Sequence, residues 1–296
     1  MSKGHSKKRF KKVYIEITNI CNLNCNFCPG TCRPPEIMDE KRFGQILTAI
    51  RPYTDYIFFH LMGEPLLNPN LGRFLEMSHE SGLKTNLTTN GTRLRQVQSV
   101  LLNAPALRQI NISLNSFEAN TLTKPLKTYL TEVIEFVNTA VENTGMFCSI
   151  RLWNFDTERL KGNNRFNRQI LEFFESQFKL SPGHLSELSL DNPRATLKER
   201  IFLYLAEKFE WPDLERVQSN HQLFCHGLRD QMGILVDGTV VPCCLDNNAN
   251  IPLGNVLDTP LTDILHSERA LALFNGFSRR CAVELLCQKC SYALRY

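Results

Sequence analysis

The sequence predicts an α/β protein, namely a partial (β/α)6 barrel of the TIM type followed by a small, cysteine-rich C-terminal domain. Apolar, β-branched runs alternate with helical periodicities over the first two thirds of the chain, an order typical of a parallel sheet with helices outside. The last seventy residues or so contain a hairpin signal and spaced cysteines instead. We therefore expect a basic tail at residues 1–12, a barrel at 13–215 and a cysteine-rich domain at 216–296.

Each unit of the predicted barrel follows from a local pattern. The first run is β-branched and aromatic and alternates apolar with polar residues, which is typical of a strand. The later strands are separated by stretches with helical periodicity, one of which ends at a glycine. The predicted strands are residues 13–17, 56–62, 84–89, 108–114, 147–153 and 185–190, and the predicted helices are residues 39–51, 71–81, 94–102, 130–142 and 168–178.

Composition limits the class of protein. No run of 18 or more apolar residues occurs, and no apolar segment follows the charged N-terminus, so we expect neither a membrane span nor secretion. The 11 cysteines among 296 residues are about 4% of the chain, well below the fraction in small disulfide-stapled domains. Reduced thiols are typical of the cytoplasm, where we expect the protein.

The formal net charge of +4 is concentrated at the start of the chain. Residues 3–12 carry six positive charges, which leaves the remaining residues with a net charge of −2. We interpret the basic segment as a solvated tail, and the alternative is an arm that contacts RNA phosphates. No aromatic residues that would stack bases are interleaved with these charges, so we expect no nucleic-acid partner.

Cys21, Cys25 and Cys28 lie on the loop that leaves the first predicted strand. Three thiolates at this spacing hold three irons of a [4Fe–4S] cube and leave the fourth iron open to a chelating small molecule. The alternatives are coincidence and zinc. A structural zinc site requires four ligands, and Cys32, the nearest further thiol, gives a spacing that is unusual for zinc. We therefore favour an iron–sulfur site.

The cysteine segment resembles the radical S-adenosylmethionine (SAM) superfamily, whose CxxxCxΦC signature is matched with Phe27 as the aromatic residue. Further motifs of that family follow in order along the chain, although Met62 stands where the family usually has a glycine. The resemblance implies an enzyme that reductively cleaves SAM to a 5′-deoxyadenosyl radical, which abstracts hydrogen from a substrate. Two cofactors are implied at this site, a [4Fe–4S] cluster and SAM, together with an electron donor such as flavodoxin or ferredoxin.

The resemblance also implies which residues contact SAM. Gly63, Glu64 and Pro65 would receive its amino group, and Phe27 would lie beside adenine. Arg151 would pair with a carboxylate if it faces the barrel, and the alternative is an ordinary surface arginine. The cofactor-binding residues expected on this basis are Phe27, Gly63, Glu64, Pro65, Asn90, Ser113, Asn115 and Arg151.

Two polar residues lie at positions whose strand parity points into the predicted barrel. Glu16 shares a face with Tyr14, and His60 interrupts an otherwise apolar run. A buried carboxylate or imidazole is costly unless it is paired, so we predict Glu16 and His60 as catalytic or substrate-binding residues. For His60 the alternative is a satisfied core histidine.

The C-terminal region carries a second set of cysteines. Cys225, Gly238 and Cys243, with a hairpin turn at Asp237-Gly238, resemble the opening of a SPASM domain. With Cys287 and Cys290 they imply a shortened, twitch-like domain that holds a second, auxiliary [4Fe–4S] cluster. Spacing alone leaves zinc open. Cys244 and Cys281 are alternative ligands, and Cys32 and Cys148 are expected to be spare thiols.

The substrate is not encoded in these motifs. The compact form with one auxiliary cluster resembles queuine lyase of queuosine salvage, which implies a small-molecule substrate whose guanine-like edge would pair with Glu16 or another carboxylate. The alternatives are a peptide maturase, a polyol or aminocyclitol dehydrogenase of the same superfamily, and a non-catalytic iron–sulfur protein.

Overall fold

The computed structural model describes residues 9–120, 124–156, 164–217 and 219–295. The first eight residues of the predicted tail lie outside this range. The strands are β1 (Lys12–Ile15), β2 (Tyr56–Phe59), β3 (Lys84–Thr89), β4 (Leu107–Ser113), β5 (Phe147–Phe155), β6 (Arg194–Lys198), β7 (Ile201–Glu207), β8 (Gln231–Ile234), β9 (Thr239–Val241) and β10 (Gly254–Asn255). The helices are α1 (Glu40–Ile50), α2 (Leu71–Glu80), α3 (Leu94–Leu102), α4 (Asn115–Glu118), α5 (Leu126–Asn143), α6 (Asn167–Phe178), α7 (Leu261–Leu265), α8 (Glu268–Ser278) and α9 (Leu285–Gln288).

The chain divides into two compact units. The first unit comprises Met1–Ile20, Pro29–Thr85 and Glu210–Tyr296, and the second comprises Cys21–Cys28 and Asn86–Phe209. In the first unit the strands lie in the order β10-β9-β8-β1-β2, and β1 is parallel to both β2 and β8. β8 and β9 form the hairpin expected around Asp237-Gly238.

Helices α1 and α2 cover the outer face of the first unit. The Asp39 side chain caps α1 by accepting a hydrogen bond from Arg42 N at 2.8 Å. Phe43 is fully buried and stacks on Phe74 with ring centroids 4.2 Å apart, and its edge meets Phe59 from β2. Burial of these rings against β2 fixes the helices on the sheet.

The second unit has the strand order β4-β5-β7-β6, in which β4, β5 and β7 are parallel. The α/β class expected from the sequence is confirmed by these parallel strands. The sixth strand predicted at residues 185–190 is wrong, because residues Leu185–Glu187 form a 3-10 turn. The Glu175 carboxylate accepts the backbone N–H groups of Gly183 and Leu185 and so closes this turn.

On the side of β5 opposite β4, the paired strand is β7, which forms an antiparallel hairpin with β6. Its sequence, Ile201–Glu207, alternates buried and more exposed residues. The predicted second strand is also shorter than expected: β2 ends at Phe59, because Leu61 has a φ of 138° and Met62 N–H turns to the Glu16 carboxylate. Within the described ranges, no helix is both long and apolar enough to span a bilayer.

Candidate functional site

The three cysteines of the N-terminal motif lie on one irregular loop in the second unit. All 11 cysteines of the chain are free thiols, and Cys21 and Cys28 are exposed while Cys25 is half-buried. Burial raises the pKa of Cys25 to about 11, although a hydrogen bond from Asn120 opposes that rise. The loop therefore presents three sulfur ligands within eight residues, none of them in a disulfide, as a cubane cluster requires.

Two asparagines hold this loop. Asn120, just after α4, donates from Nδ2 to Cys25 Sγ at 3.0 Å and accepts Asn24 N–H on Oδ1 at 2.8 Å. Asn90, just after β3, donates to Asn22 Oδ1 at 3.0 Å and lies 3.9 Å from Cys21 Sγ. N–H groups directed at sulfur favour the thiolate and tune a bound metal centre. Asn90 was expected at the site, whereas Asn120 has no sequence signal.

Three further residues expected to contact SAM lie on β4, α4 and β5 of the second unit: Ser113 ends β4, Asn115 begins α4, and Arg151 is in the middle of β5. Ser113 and Arg151 are register partners on these strands. Asn115 is buried, and its Oδ1 atom has no hydrogen-bond partner. The Arg151 guanidinium lies 4.6 Å from the Trp153 ring centroid. A buried acceptor without a partner is rare in folded proteins and marks a place where a ligand donor would be favourable.

Gly63 packs directly against the chain that leads into the cysteine loop. Its φ is +75°, and a Cβ atom there would lie 2.2 Å from the Thr18 carbonyl oxygen and 2.9 Å from that of Ile20. Glu64 N donates to the same Ile20 carbonyl at 2.8 Å. The buried Glu64 carboxylate caps the Pro65–Leu67 turn by accepting Leu66 N–H. Only glycine permits this close approach.

Glu16 is buried and already has three protein partners. Oε2 accepts from Arg33 Nη2 at 2.7 Å and from Met62 N at 3.2 Å, and Oε1 accepts from Val236 N at 3.2 Å. The Glu16 side chain is 0% exposed, and that of Arg33 is 13% exposed. The Glu16 carboxylate is buried, and the cation that pairs with it is Arg33, which the sequence did not single out.

His60 lies just beyond the end of β2 and is half-buried. Its ring centroid is 5.9 Å from that of Tyr14, which in turn packs against Phe58. Burial raises the pKa of the Tyr14 phenol, so it stays protonated, and its hydroxyl is hydrogen-bonded to the Cys244 thiol. Phe27, in contrast, is 41% exposed.

Four cysteines of the C-terminal region line one apolar cavity in the first unit. Cys225, Cys243, Cys287 and Cys290 are the four, and their other neighbours there include Phe277. Burial raises the pKa of Cys225 to about 11 and raises the pKa of the other three thiols as well. Metal binding displaces such protons. Cys244 and Cys281 do not line this cavity.

These four are the residues expected to hold the auxiliary group, and the donor set fits a cluster bound by four thiolates. Gly227 N–H points at Cys225 Sγ at 3.4 Å. Among the described residues, no three His, Cys, Asp or Glu side chains converge closely enough to hold a single metal ion.

A cleft of about 630 Å³ opens beside the cysteine loop within the second unit. Phe117 and Phe166 form an aromatic wall with centroids 5.9 Å apart, and Lys124 lies on the rim. Glu118 lines the cleft, its side chain is 7% exposed, and its Oε2 atom is buried without a hydrogen-bond partner. Its Oε1 atom accepts Arg165 N–H at 2.8 Å.

Comparison with known proteins gives two matches to family models. Residues 15–159 match the model of the radical SAM superfamily, and residues 225–291 match SPASM, an iron–sulfur cluster-binding domain. The two matches include all seven cysteines described above as candidate ligands.

Individual proteins are similar over different lengths. A GTP 3′,8-cyclase of Nautilia profundicola is 29% identical over 145 residues, which are 46% of this chain and 45% of the cyclase. The chain thus spans less than half the length of that curated relative. BtrN, solved in complex with AdoMet and 2-DOIA, is 17% identical with a TM-score of 0.52, over 97% of this chain and 94% of BtrN. SuiB of Streptococcus suis bound to SAM is 16% identical with a TM-score of 0.53, over 97% and 74%. These two structures share the fold.

The close contact at Gly63 generates the first prediction. Gly63→Ala adds a methyl group against two carbonyl oxygens at positive φ, and we expect it to lower the free energy of unfolding by at least about 3 kcal/mol. Gly30→Ala is the matched control, because Gly30 has a φ of +62° but no atom within 4 Å of the added Cβ. Its expected cost is about 1 kcal/mol. Urea unfolding measures both, and equal losses would contradict the close contact.

The buried Glu16–Arg33 pair generates the second prediction. Glu16→Gln leaves the Arg33 charge without its counter-ion, and we expect a loss of about 3–5 kcal/mol in the free energy of unfolding. Glu16→Gln/Arg33→Met removes both charges and should recover part of that loss. The control is Glu172→Gln in the exposed Glu172–Arg168 pair, which should cost less than about 0.5 kcal/mol. A Glu16→Gln variant as stable as this control would refute the assigned role.

Proposed function

Since this chain belongs to the radical SAM superfamily and has [4Fe–4S] clusters and SAM as its cofactors, we propose that it cleaves SAM reductively and abstracts hydrogen from a small-molecule substrate. The observation that carries this proposal is the loop of Cys21, Cys25 and Cys28, three thiols outside any disulfide, with side-chain N–H groups directed at the sulfurs of Cys21 and Cys25. Three thiolates leave one iron for SAM. When bound, the cluster would supply the single electron for the reductive cleavage of SAM.

In this proposal, residues of the protein orient the sulfur ligands of the cluster and bind SAM. Asn90 orients the sulfur of Cys21 and Asn120 that of Cys25. The orphaned Oδ1 of Asn115 supports a contact with a SAM hydroxyl or amino group, and Arg151 is proposed to bind a carboxylate. Gly63, Glu64 and Pro65 are proposed to bind the SAM amino group through their backbone carbonyls and the Glu64 carboxylate. Hydrogen bonds hold this segment of backbone in place. Phe27 and Ser113 complete the proposed cofactor-binding set.

Glu16 and His60 take different roles. Because every hydrogen bond that Glu16 accepts comes from the protein, we assign it as a positioning residue rather than a substrate ligand. His60 is half-buried and lies beside the Tyr14 ring, which supports a substrate contact. A reducing compartment such as the cytoplasm is proposed, since eleven free cysteines and an oxygen-sensitive cluster require one.

The proposed substrate class is a planar nitrogen heterocycle, with queuine as the best candidate. The cleft of about 630 Å³ has the size of a small-molecule site, and Phe117 and Phe166 offer aromatic contact. The unpartnered Oε2 of Glu118 requires a donor, and the two parallel N–H groups of a guanine-like edge suit a carboxylate. Glu118 therefore takes the place that the sequence suggested for Glu16.

A polyol or aminocyclitol substrate is a second candidate, because BtrN was solved with 2-DOIA and covers nearly the whole chain. A peptide substrate is a third, because SuiB was also solved bound to its precursor peptide SuiA. The aromatic wall and the orphaned carboxylate oxygen favour the heterocycle over both.

Iron content tests the cofactor assignment. After anaerobic reconstitution we expect about eight irons per chain in the unaltered protein. Cys21→Ala/Cys25→Ala/Cys28→Ala and Cys287→Ala/Cys290→Ala should each retain about four, since each removes one cube. Cys32→Ala is the control and should retain all of them, because Cys32 is an exposed thiol outside both sets. Zinc at the C-terminal thiols, or unchanged iron in the triple variant, would contradict the assignment.

Release of 5′-deoxyadenosine tests the substrate class. With dithionite as reductant, we expect queuine to stimulate release more than an aminocyclitol or a peptide does. Glu118→Gln should raise KM for queuine roughly tenfold with little change in kcat, because it weakens one charge-assisted pair. Glu172→Gln is the control. If only an aminocyclitol or only a peptide stimulates release of 5′-deoxyadenosine, that class is the substrate and the heterocycle is wrong. Failure to cleave SAM with any of them would favour a non-catalytic iron–sulfur protein.

A further inference from the structure

Two basic side chains from separate segments of the first unit meet at the Phe274 ring in α8. Arg9 donates from Nη2 to the Leu228 carbonyl at 2.8 Å, and its guanidinium lies 5.4 Å from the Phe274 centroid. The Arg229 guanidinium lies 5.1 Å from the same centroid and bonds to Ser278, the last residue of α8. Both guanidinium groups are therefore held in place by contacts within the protein.

Further positive charges adjoin these two arginines. Lys11 and Lys12 follow Arg9, and Arg279 and Arg280 follow Ser278. All four are exposed. We define the basic patch as Arg9, Lys11, Lys12, Arg229, Arg279 and Arg280 around Phe274.

Asp230 is the acid that contacts this patch in the described part of the chain. It accepts from Lys11 Nζ at 2.7 Å and lies 3.3 Å from His226 Nδ1. The basic patch carries six formal positive charges, of which that of Lys11 is paired with Asp230, while residues 13–296 carry a net charge of −2. A concentrated field of one sign steers partners of the opposite sign.

The basic patch borders the candidate auxiliary site. Cys225, one of the four thiols in the C-terminal cavity, begins the segment that ends with Arg229 and Asp230. Gly227, between them, donates to Cys225 Sγ and packs against Phe277 of α8. A protein bound at the patch would therefore lie a few residues from a cluster ligand.

We propose that the basic patch is the docking surface for a small acidic one-electron carrier protein of the flavodoxin or ferredoxin class. The inference rests on the proposed function, which requires a source of single electrons. In the exchange the reduced carrier loses one electron and the auxiliary site gains it, and no bond is made or broken. RNA is the less suitable partner, because Phe274 is half-buried beside two guanidinium groups and is not free to stack a base.

Association with a purified flavodoxin tests the proposal. Arg279→Glu/Arg280→Glu reverses two exposed charges outside the proposed catalytic and ligand residues. At low ionic strength we expect the association rate constant to fall roughly tenfold or more, and we expect the difference to vanish in high salt. Arg279→Gln/Arg280→Gln should give an intermediate rate. Arg95→Glu/Lys127→Glu, with the same charge change on exposed residues of α3 and α5, should match the unaltered protein.

Turnover and iron content separate this inference from the proposed function. Arg279→Glu/Arg280→Glu should release 5′-deoxyadenosine normally with dithionite and slowly with subsaturating reduced flavodoxin. Normal iron and dithionite turnover with unchanged flavodoxin association would overturn the docking surface alone. Absence of iron from the reconstituted unaltered protein would overturn the proposed function, whether or not flavodoxin associates. Binding of a single-stranded RNA oligonucleotide that displaces flavodoxin, and that the Glu substitutions abolish, would overturn the acidic protein as the occupant.

Discussion

The buried carboxylate of Glu16 is the constraint on which the first unit depends. A charge withdrawn from water must be paired and hydrogen-bonded, and here the partners come from three other segments: Arg33, Met62 N–H after β2 and Val236 N–H after β8. Since β1 lies between β2 and β8, a single side chain ties the carboxyl ends of all three strands together. Loss of any one partner leaves part of this charge uncompensated.

That constraint extends to the candidate SAM-binding edge. Met62 N–H bonds to Glu16, so the chain turns away from β2 and brings Gly63 against the Thr18 and Ile20 carbonyls. Cys21 is the next residue along the chain from Ile20. The motif of Gly63, Glu64 and Pro65 and the segment from Thr18 to Ile20 are therefore fixed by one network of hydrogen bonds within the first unit, which links this motif to β1.

How much was predictable depended on the range of the interactions. Local patterns were sufficient for β1, α1 and the β8–β9 hairpin, because alternation, an N-cap at Asp39 and a turn at Asp237-Gly238 are encoded within a few residues. Residues 185–190 carry three leucines but form a 3-10 turn at their start, because the Glu175 carboxylate of α6 accepts the N–H groups of Gly183 and Leu185. The cysteine sets were recognisable from spacing. Arg33 and Asn120 were not, since their partners lie 17 and 95 residues away in sequence.

The C-terminal region is part of the scaffold of the first unit rather than an appended module. Asp246 is fully buried and accepts the N–H groups of Asn250 and Ile251, which makes the loop after Cys243 rigid. From this loop Asn247 donates to the Gly30 carbonyl at 2.6 Å, and its own carbonyl accepts from Arg33 Nε at 2.9 Å. Arg33 thus joins Asn247 to Glu16. Residues Gly30 and Arg33 are thus held by the region that carries the second cysteine set, so that region has a structural role in the first unit.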